Sequence, residues 1–316
     1  MKKDISYKWY FSVLLLMVLI SSYAIIHIFM YPNHSVTPLM ASKETDDLLY
    51  EINERADDYY EEAEDAYIDD VWKKTPGRNG RKVNVKKSYD KMKEKGTFDA
   101  SLLVFDEIRP SITLKDLPAA PIYRGHPEKD AVAFLINVSW GTEYIPEILK
   151  VLRKQNVKAT FFIEGKWAKE NKNLVKMIHE QEHIIGNHAY NHPDMARMSQ
   201  VEIREQIVQT NDILEAIIGT RPKWFAPPSG SFNDQVVKIT HELNMETILW
   251  TVDTIDWQNP SVSVMINRVI TKIHPGATVL MHPTDSVAQG LTNLIEEIRQ
   301  KDLEITTIEN VLSEKR

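Results

Sequence analysis

From Ala131 onward the spacing of apolar positions switches between two periods. The continuous apolar run AVAFLINV ends at Val138, and a three-and-four spacing follows over about 143–155. This is the signature of a buried strand leading into an amphipathic helix. The switch recurs down the chain. Strand-type runs fall at 159–163, 184–185, 224–225, 247–251, 277–281 and 305–308. Helix-type stretches fall at 166–180, 201–218, 233–243, 261–273 and 286–301, with a short helix at the end. Strands alternating with helices of this length predict right-handed βαβ units on a parallel sheet. Roughly seven units in about 185 residues close more economically as a barrel than as an open sheet. The predicted fold is therefore α/β, a distorted (β/α)7-type barrel over 125–316. A doubly wound sheet is the alternative, but no G-x-G-x-x-G follows the first strand, which counts against a nucleotide fold.

The N-terminal pattern differs. Residues 9–31 are apolar and contain no acid, lysine or arginine; at about 1.5 Å per residue they span a bilayer core of about 30 Å. Lys2, Lys3 and Lys8 precede the run, and Trp9, Tyr10 and Tyr31 mark its ends as interfacial anchors. Residues 1–31 thus read as an uncleaved single-pass anchor with a cytoplasmic N-terminus, the rest of the chain lying outside the cell membrane. A cleavable signal peptide, cut near Ser22-Tyr23-Ala24 so that the rest is secreted, is the rival reading; the apolar run continues past that site to Met30. Within a linker at 32–70, apolar residues from Leu48 to Val71 recur at three and four on an acid-rich background. They predict a solvated acidic helix over 44–70. A turn cluster at 75–80, a basic stretch to Lys95 and apolar runs at 101–105 and 112–114, read as short strands, make 71–124 a small accessory α/β region.

Composition narrows the chemistry. With 43% apolar residues, the 316-residue chain can bury a substantial core, and its net charge of −7 argues against a nucleic-acid partner. It has no cysteine, which excludes disulfides, thiolate metal sites and a cysteine nucleophile. Any metal site must use histidine and carboxylate.

In a barrel of this kind the functional site lies at the C-terminal ends of the strands. Residues Asn137 to Gly141 follow the first strand, and the third leads into GNHAYNH, where His188 and His192 stand four apart. That spacing lets two imidazoles close on one ion, with Asn187 and Asn191 placed to hold the rings or meet a polar ligand. APPSG with Pro227 follows the fourth strand, Asp253, Asp256 and Trp257 the fifth, and His282 the sixth. Polar and aromatic residues far apart in sequence converge on one rim.

These stretches, GNHAYNHPDM, FAPPSGSF, WTVDTIDW and VLMHP, resemble in order the motifs of the polysaccharide deacetylase family, the NodB-homology domain of carbohydrate esterases. The likeness covers about 132–316. The resemblance implies a distorted (β/α) barrel and hydrolysis of acetyl groups from polymers such as peptidoglycan, with a zinc or other divalent ion held by one aspartate and two histidines. Carried over by position, His188 and His192 are the metal ligands and His282 the acid, with Asp256 orienting His282. Trp257 walls the acetyl pocket, and Pro227, Trp140 and Ser139 line the substrate side.

The first motif departs from the family. Where the family reads T-F-D-D-G, this chain reads N-V-S-W-G, so Ser139 stands at the catalytic base and Trp140 at the aspartate ligand. Ala226 replaces the arginine and Ser229 the tyrosine of the third motif. Losing the carboxylate weakens metal binding, and a serine hydroxyl cannot serve as base near neutral pH. Glu143, Asp194, Asp253, or His282 itself as base, are the substitutes the sequence offers. The altered motif resembles a sporulation-associated subgroup from spore-forming bacilli, which implies a cell-wall or spore glycan as partner. The expected function is action on, or binding of, an N-acetylated envelope glycan with impaired catalysis; a non-catalytic binding or scaffold protein of the envelope is the alternative.

Overall fold

The computed structural model describes residues 43–316. The predicted membrane anchor lies outside the described residues, as does the start of the linker. Among the described residues no helix is long and apolar enough to cross a membrane.

The chain enters through α1 (Lys43–Glu54). β1 (Tyr67–Asp69) pairs antiparallel with β2 (Lys73–Thr75), and β3 (Gly80–Val83) leads through α2 (Val85–Met92) to its antiparallel partner β4 (Phe105–Ile108). The acidic helix expected over 44–70 therefore stops at Glu54. Its apolar stripe is covered rather than solvated: Leu48 and Ile52 pack with Val83, Met92 and Leu103. Beyond it Glu61 and Glu64 make antiparallel bridges to Arg81 and Arg78, so sheet-type pairing overrides the helical spacing there. The run at 101–105 is a 3-10 turn (Ala100–Leu102) before β4 begins, and 112–114 forms no strand. Instead Thr113 and Asp116 cap the short turn Leu114–Asp116.

The strand–helix repeat begins at β5 (Ala131–Val138), whose eight residues are all buried. It continues through α3 (Ile145–Lys154), β6 (Thr160–Ile163), α4 (Gly165–Glu170), α5 (Lys172–Glu180) and β7 (Ile184–Asn187). The helix predicted at 166–180 is thus broken at Asn171. α6 (Gln200–Ile218), capped by Ser199 and Glu202, leads to β8 (Trp224–Phe225), α7 (Asp234–Glu242), β9 (Glu246–Thr247) and β10 (Val252–Asp253). α8 (Val262–Ile270), β11 (Thr278–Met281), α9 (Asp285–Arg299), β12 (Glu304–Thr306) and α10 (Ile308–Val311) complete the chain.

All strands of this sheet pair parallel, in the order β10–β11–β5–β6–β7–β8–β9, with β12 beside the start of β5. Alternation along β5 separates two cores. Val132, Phe134, Ile136 and Val138 pack toward the helices, whereas Ala131, Ala133 and Leu135 face the barrel interior with Phe162, Ala226 and Ile308. The barrel closes incompletely. The single strand predicted at 247–251 is divided: β9 pairs with β8, β10 pairs with β11, and between them Ile248 bridges to Ile122 from the accessory side. That inserted residue holds the seam through Ile122 N–H to Thr247 O (2.9 Å) and Leu249 N–H to Ile122 O (2.8 Å).

Candidate functional site

The ends of β5, β7, β10 and β11 bring most of the expected residues to one rim. Gly141 fixes the approach of the first and last of these. Its φ of +73° is left-handed, and a Cβ there would lie 1.9 Å from Pro283 O; only glycine permits both. The contact draws the β5 loop onto the β11 loop, and Trp140 stacks on His282 with ring centroids 5.8 Å apart and planes 11° from parallel. Trp140 remains 43% exposed.

His282 is also held from within the barrel wall. Its Nδ1–H donates to Asp256 Oδ1 (2.8 Å) and its backbone N–H to Asp256 Oδ2 (2.6 Å), with Thr284 Oγ1 at 3.4 Å from the same oxygen. Asp256 is fully buried, and these donors supply the partners a buried carboxylate requires. The loop carrying it is strained: Ile255, β-branched, sits at φ +49°. Arg268 of α8 braces the loop by donating to Thr254 O (2.6 Å). Trp257 follows on the short turn and is exposed.

The GNHAYNH stretch is a loop rather than a helical turn, because Ala189 and His192 both take left-handed conformations. Asn187 is not available to a ligand. Its amide donates to Ile207 O and Asn211 Oδ1 (both 2.8 Å), and its Oδ1 accepts from Ala189 N–H (2.8 Å), which pins the loop to α6. His188 is buried, and its Nδ1–H donates to Ala226 O (2.7 Å). That bond leaves Nε2 as the lone-pair nitrogen, the tautomer a ligand needs. Burial above all, then the His192 ring beside it, depresses its pKa to about 3. His192 meets it edge to face at 5.2 Å between centroids, and desolvation lowers its pKa too.

Two neutral imidazoles are a short donor set for the family's ion. Among the described residues no group of three or more His, Asp or Glu is arranged to hold a metal. Trp140 offers no donor from the position where the resemblance places an aspartate, so the residues present do not fit that ion. None of the substitute acids fills the gap. Asp194 bonds Ser231 and pairs with Arg197 (3.1 Å), Asp253 Oδ1 accepts from Ile255 N–H (2.8 Å), and Glu143 is solvent-exposed. Ser139 is half-buried, and Pro227 is buried at the start of a short turn.

Two further rim groups are given no role by the sequence, and only Asn137 of the two lies within a motif stretch. Glu164 directly follows β6, is 8% exposed, and has no hydrogen-bond or ion-pair partner among the described residues; desolvation raises its pKa to about 7. Asn137, on the interior face of β5, is buried with its Oδ1 unpartnered. For Glu164 the only sequence signal is its place at the end of a strand.

Comparison with known proteins agrees with this geometry. Residues 124–248 match the family model described as "Polysaccharide deacetylase". The chain is 49% identical over 271 residues to the uncharacterized protein YlxY of Bacillus subtilis, covering 86% of this chain and 85% of that one. It is 34% identical to a peptidoglycan-N-acetylglucosamine deacetylase of Bacillus cereus, covering 59% of this chain and 70% of that one. Among solved structures it superposes on BA3943 of Bacillus anthracis, described as a CE4 family pseudoenzyme, with a TM-score of 0.82 and 49% identity over 85% of this chain and 96% of the other. A mutant of BA3943 is described as having restored enzymatic activity. By sequence, fold and motif order, the chain belongs to the polysaccharide deacetylase (NodB-homology, carbohydrate esterase family 4) family.

Proposed function

We propose that this chain is a membrane-anchored, extracytoplasmic family member that binds N-acetylated envelope glycan on its rim and hydrolyses it weakly or not at all. The observation that carries the reading is Trp140: an exposed indole stacks on His282 at the position where a catalytic relative has an acid. A flat, exposed aromatic face suits the apolar face of a sugar ring, and Trp257 supplies a second one nearby. The pseudoenzyme description of BA3943, at 49% identity, supports the loss of turnover. The relative from Bacillus cereus, named for peptidoglycan N-acetylglucosamine, supports the glycan class. A cell-wall or spore location rests on the apolar run at 9–31 and on the altered first motif.

The intact Asp256–His282 pair favours a second reading, residual deacetylation with His282 as proton donor. Acetate release from N-acetylglucosamine oligomers and peptidoglycan separates the two. No turnover, together with oligomer binding that Trp140→Ala weakens, is expected. Substantial turnover abolished by His282→Ala overturns the non-catalytic reading.

A further inference from the structure

Glu164 sits where the strand register makes it neighbour to both altered and retained site residues. Asn137 lies opposite Phe162 and Val138 opposite Ile163, which sets Ser139 opposite Glu164. Phe162 lies opposite Gly186 and Ile163 opposite Asn187, which sets Glu164 opposite His188. The ladder continues through these positions, with Glu164 N–H to Val138 O at 2.9 Å and His188 N–H to Ile163 O at 3.1 Å. Phe161 and Ile163 pack toward the helices and Phe162 toward the barrel interior, so alternation places Glu164 on the interior face. Ser139, Glu164 and His188 thus form one row across the rim.

Glu164 is only 8% exposed as a residue, and a largely buried acid normally has a partner, because burying an unpaired charge is costly. Here Ser139 is neutral, and His188 spends its Nδ1–H on Ala226 O rather than on the acid. The basic group acting on Glu164 is Lys166 of its own element, whose effect the acid Glu170 opposes. A cation or a strong hydrogen-bond donor is the kind of group such an acid takes as a partner.

We propose that Glu164 anchors the protonated amino group of a glucosamine-type sugar, so that the rim prefers glycan whose acetyl groups have already been removed. This rests on the reading that the rim binds an envelope glycan. An ammonium supplies charge-assisted donors to the carboxylate. An acetamido group at the same place brings a neutral N–H and sets a carbonyl oxygen and a methyl beside the acid. In the sequence of glycan-modifying reactions, the site then binds the product of an amide hydrolysis in preference to its substrate.

The test titrates detergent-solubilised full-length protein, by calorimetry at neutral pH, with a β-1,4-linked glucosamine tetramer and with its N-acetylated counterpart. The glucosamine tetramer is expected to bind on the order of tenfold tighter or more, and Glu164→Gln is expected to abolish that preference while N-acetylated binding stays. Equal affinities in the wild type, or tighter binding of the N-acetylated tetramer, overturn the proposal without needing a variant and leave the glycan-binding reading standing. A preference unchanged in a folded Glu164→Gln protein overturns it as well. Zinc bound alone at one equivalent and lost in Glu164→Gln also overturns it, since the acid is then a metal ligand. Binding of neither tetramer removes the glycan-binding reading itself.

Discussion

The indole of Trp140 lies against the imidazole of His282, 5.8 Å between centroids and 11° from parallel, on a ring whose Nδ1 edge Asp256 holds at 2.8 Å. A tryptophan thus touches the very histidine that the family resemblance assigns as acid. It does so because Gly141 lets the β5 loop close on Pro283.

Replacing both altered positions tests how much of the ancestral site survives. Ser139→Asp with Trp140→Asp adds two carboxylates to the rim that carries His188, whose Nε2 already has the free lone pair. Zinc affinity is expected to rise on the order of 10- to 100-fold or more over the wild type, measured by metal content after dialysis. No gain would mean that the His188–His192 loop, with its two left-handed residues, has drifted from ligand geometry.

Asp256 is a structural keystone whatever the chemistry. It is fully buried and accepts from His282 Nδ1–H, His282 N–H and Thr284 Oγ1. Asp256→Ala leaves these donors without their acceptor in a largely buried site and is expected to cost about 2–4 kcal/mol of stability. Urea unfolding measures this, alongside loss of Trp140 fluorescence sensitivity to His282→Ala.

Much of this arrangement is legible in the sequence alone. The continuous apolar run AVAFLINV and the switch to helical spacing predict β5 and α3, and the rule that sites lie at strand C-termini selects Trp140, His188, His192, Asp256 and His282. What was not legible depends on tertiary approach. Ile122 enters the seam between β9 and β10 from another region of the chain, so 247–251 looks like one strand. The stretch at 55–71 keeps a helical spacing, yet its acids pair with Arg78 and Arg81. Glu164 escapes because a single acid before a glycine says nothing until the register aligns it with Ser139 and His188.

Glu164 gives stability a pH signature. Burial raises its pKa from 4.5 to about 7, so the folded state holds this proton more tightly than the unfolded chain. The folded protein bears no penalty below about pH 4.5; the penalty grows between 4.5 and 7 and is complete above 7. At about 1.4 kcal/mol per pH unit the penalty is at most on the order of 3 kcal/mol, less whatever solvent screens at the carboxylate. His183, depressed by burial to about 4, has the opposite slope, losing stability as pH falls from 6.5 toward 4, so the isolated effect must be read as a difference. Glu164→Gln is expected to match the wild type near pH 4.5 and to melt several degrees higher at pH 8. A constant difference across that range would sink the assignment of a buried, unpaired acid.

Lys74 offers the sharpest test of how the accessory region is fastened to the barrel. Its side chain is fully buried on β2, and Nζ meets Glu246 Oε1 of β9 at 2.7 Å, while Glu246 is still 21% exposed. The pair is therefore asymmetric. Deleting the acid leaves an ammonium in the interior with no carboxylate, whereas deleting the base leaves a carboxylate that can turn toward water. Glu246→Ala is expected to destabilise by about 3–5 kcal/mol, the cost of stranding a buried charge. Lys74→Met, which fills the same channel with an apolar side chain of similar length, is expected to cost about 1 kcal/mol or less. Denaturant midpoints of the two variants decide the matter, and because Ile122 sits between β2 and β9, the larger loss should be accompanied by faster amide exchange at Ile122 and Leu249. Equal losses in both variants would mean that the ammonium finds other acceptors, and that the seam is held by its backbone bonds alone.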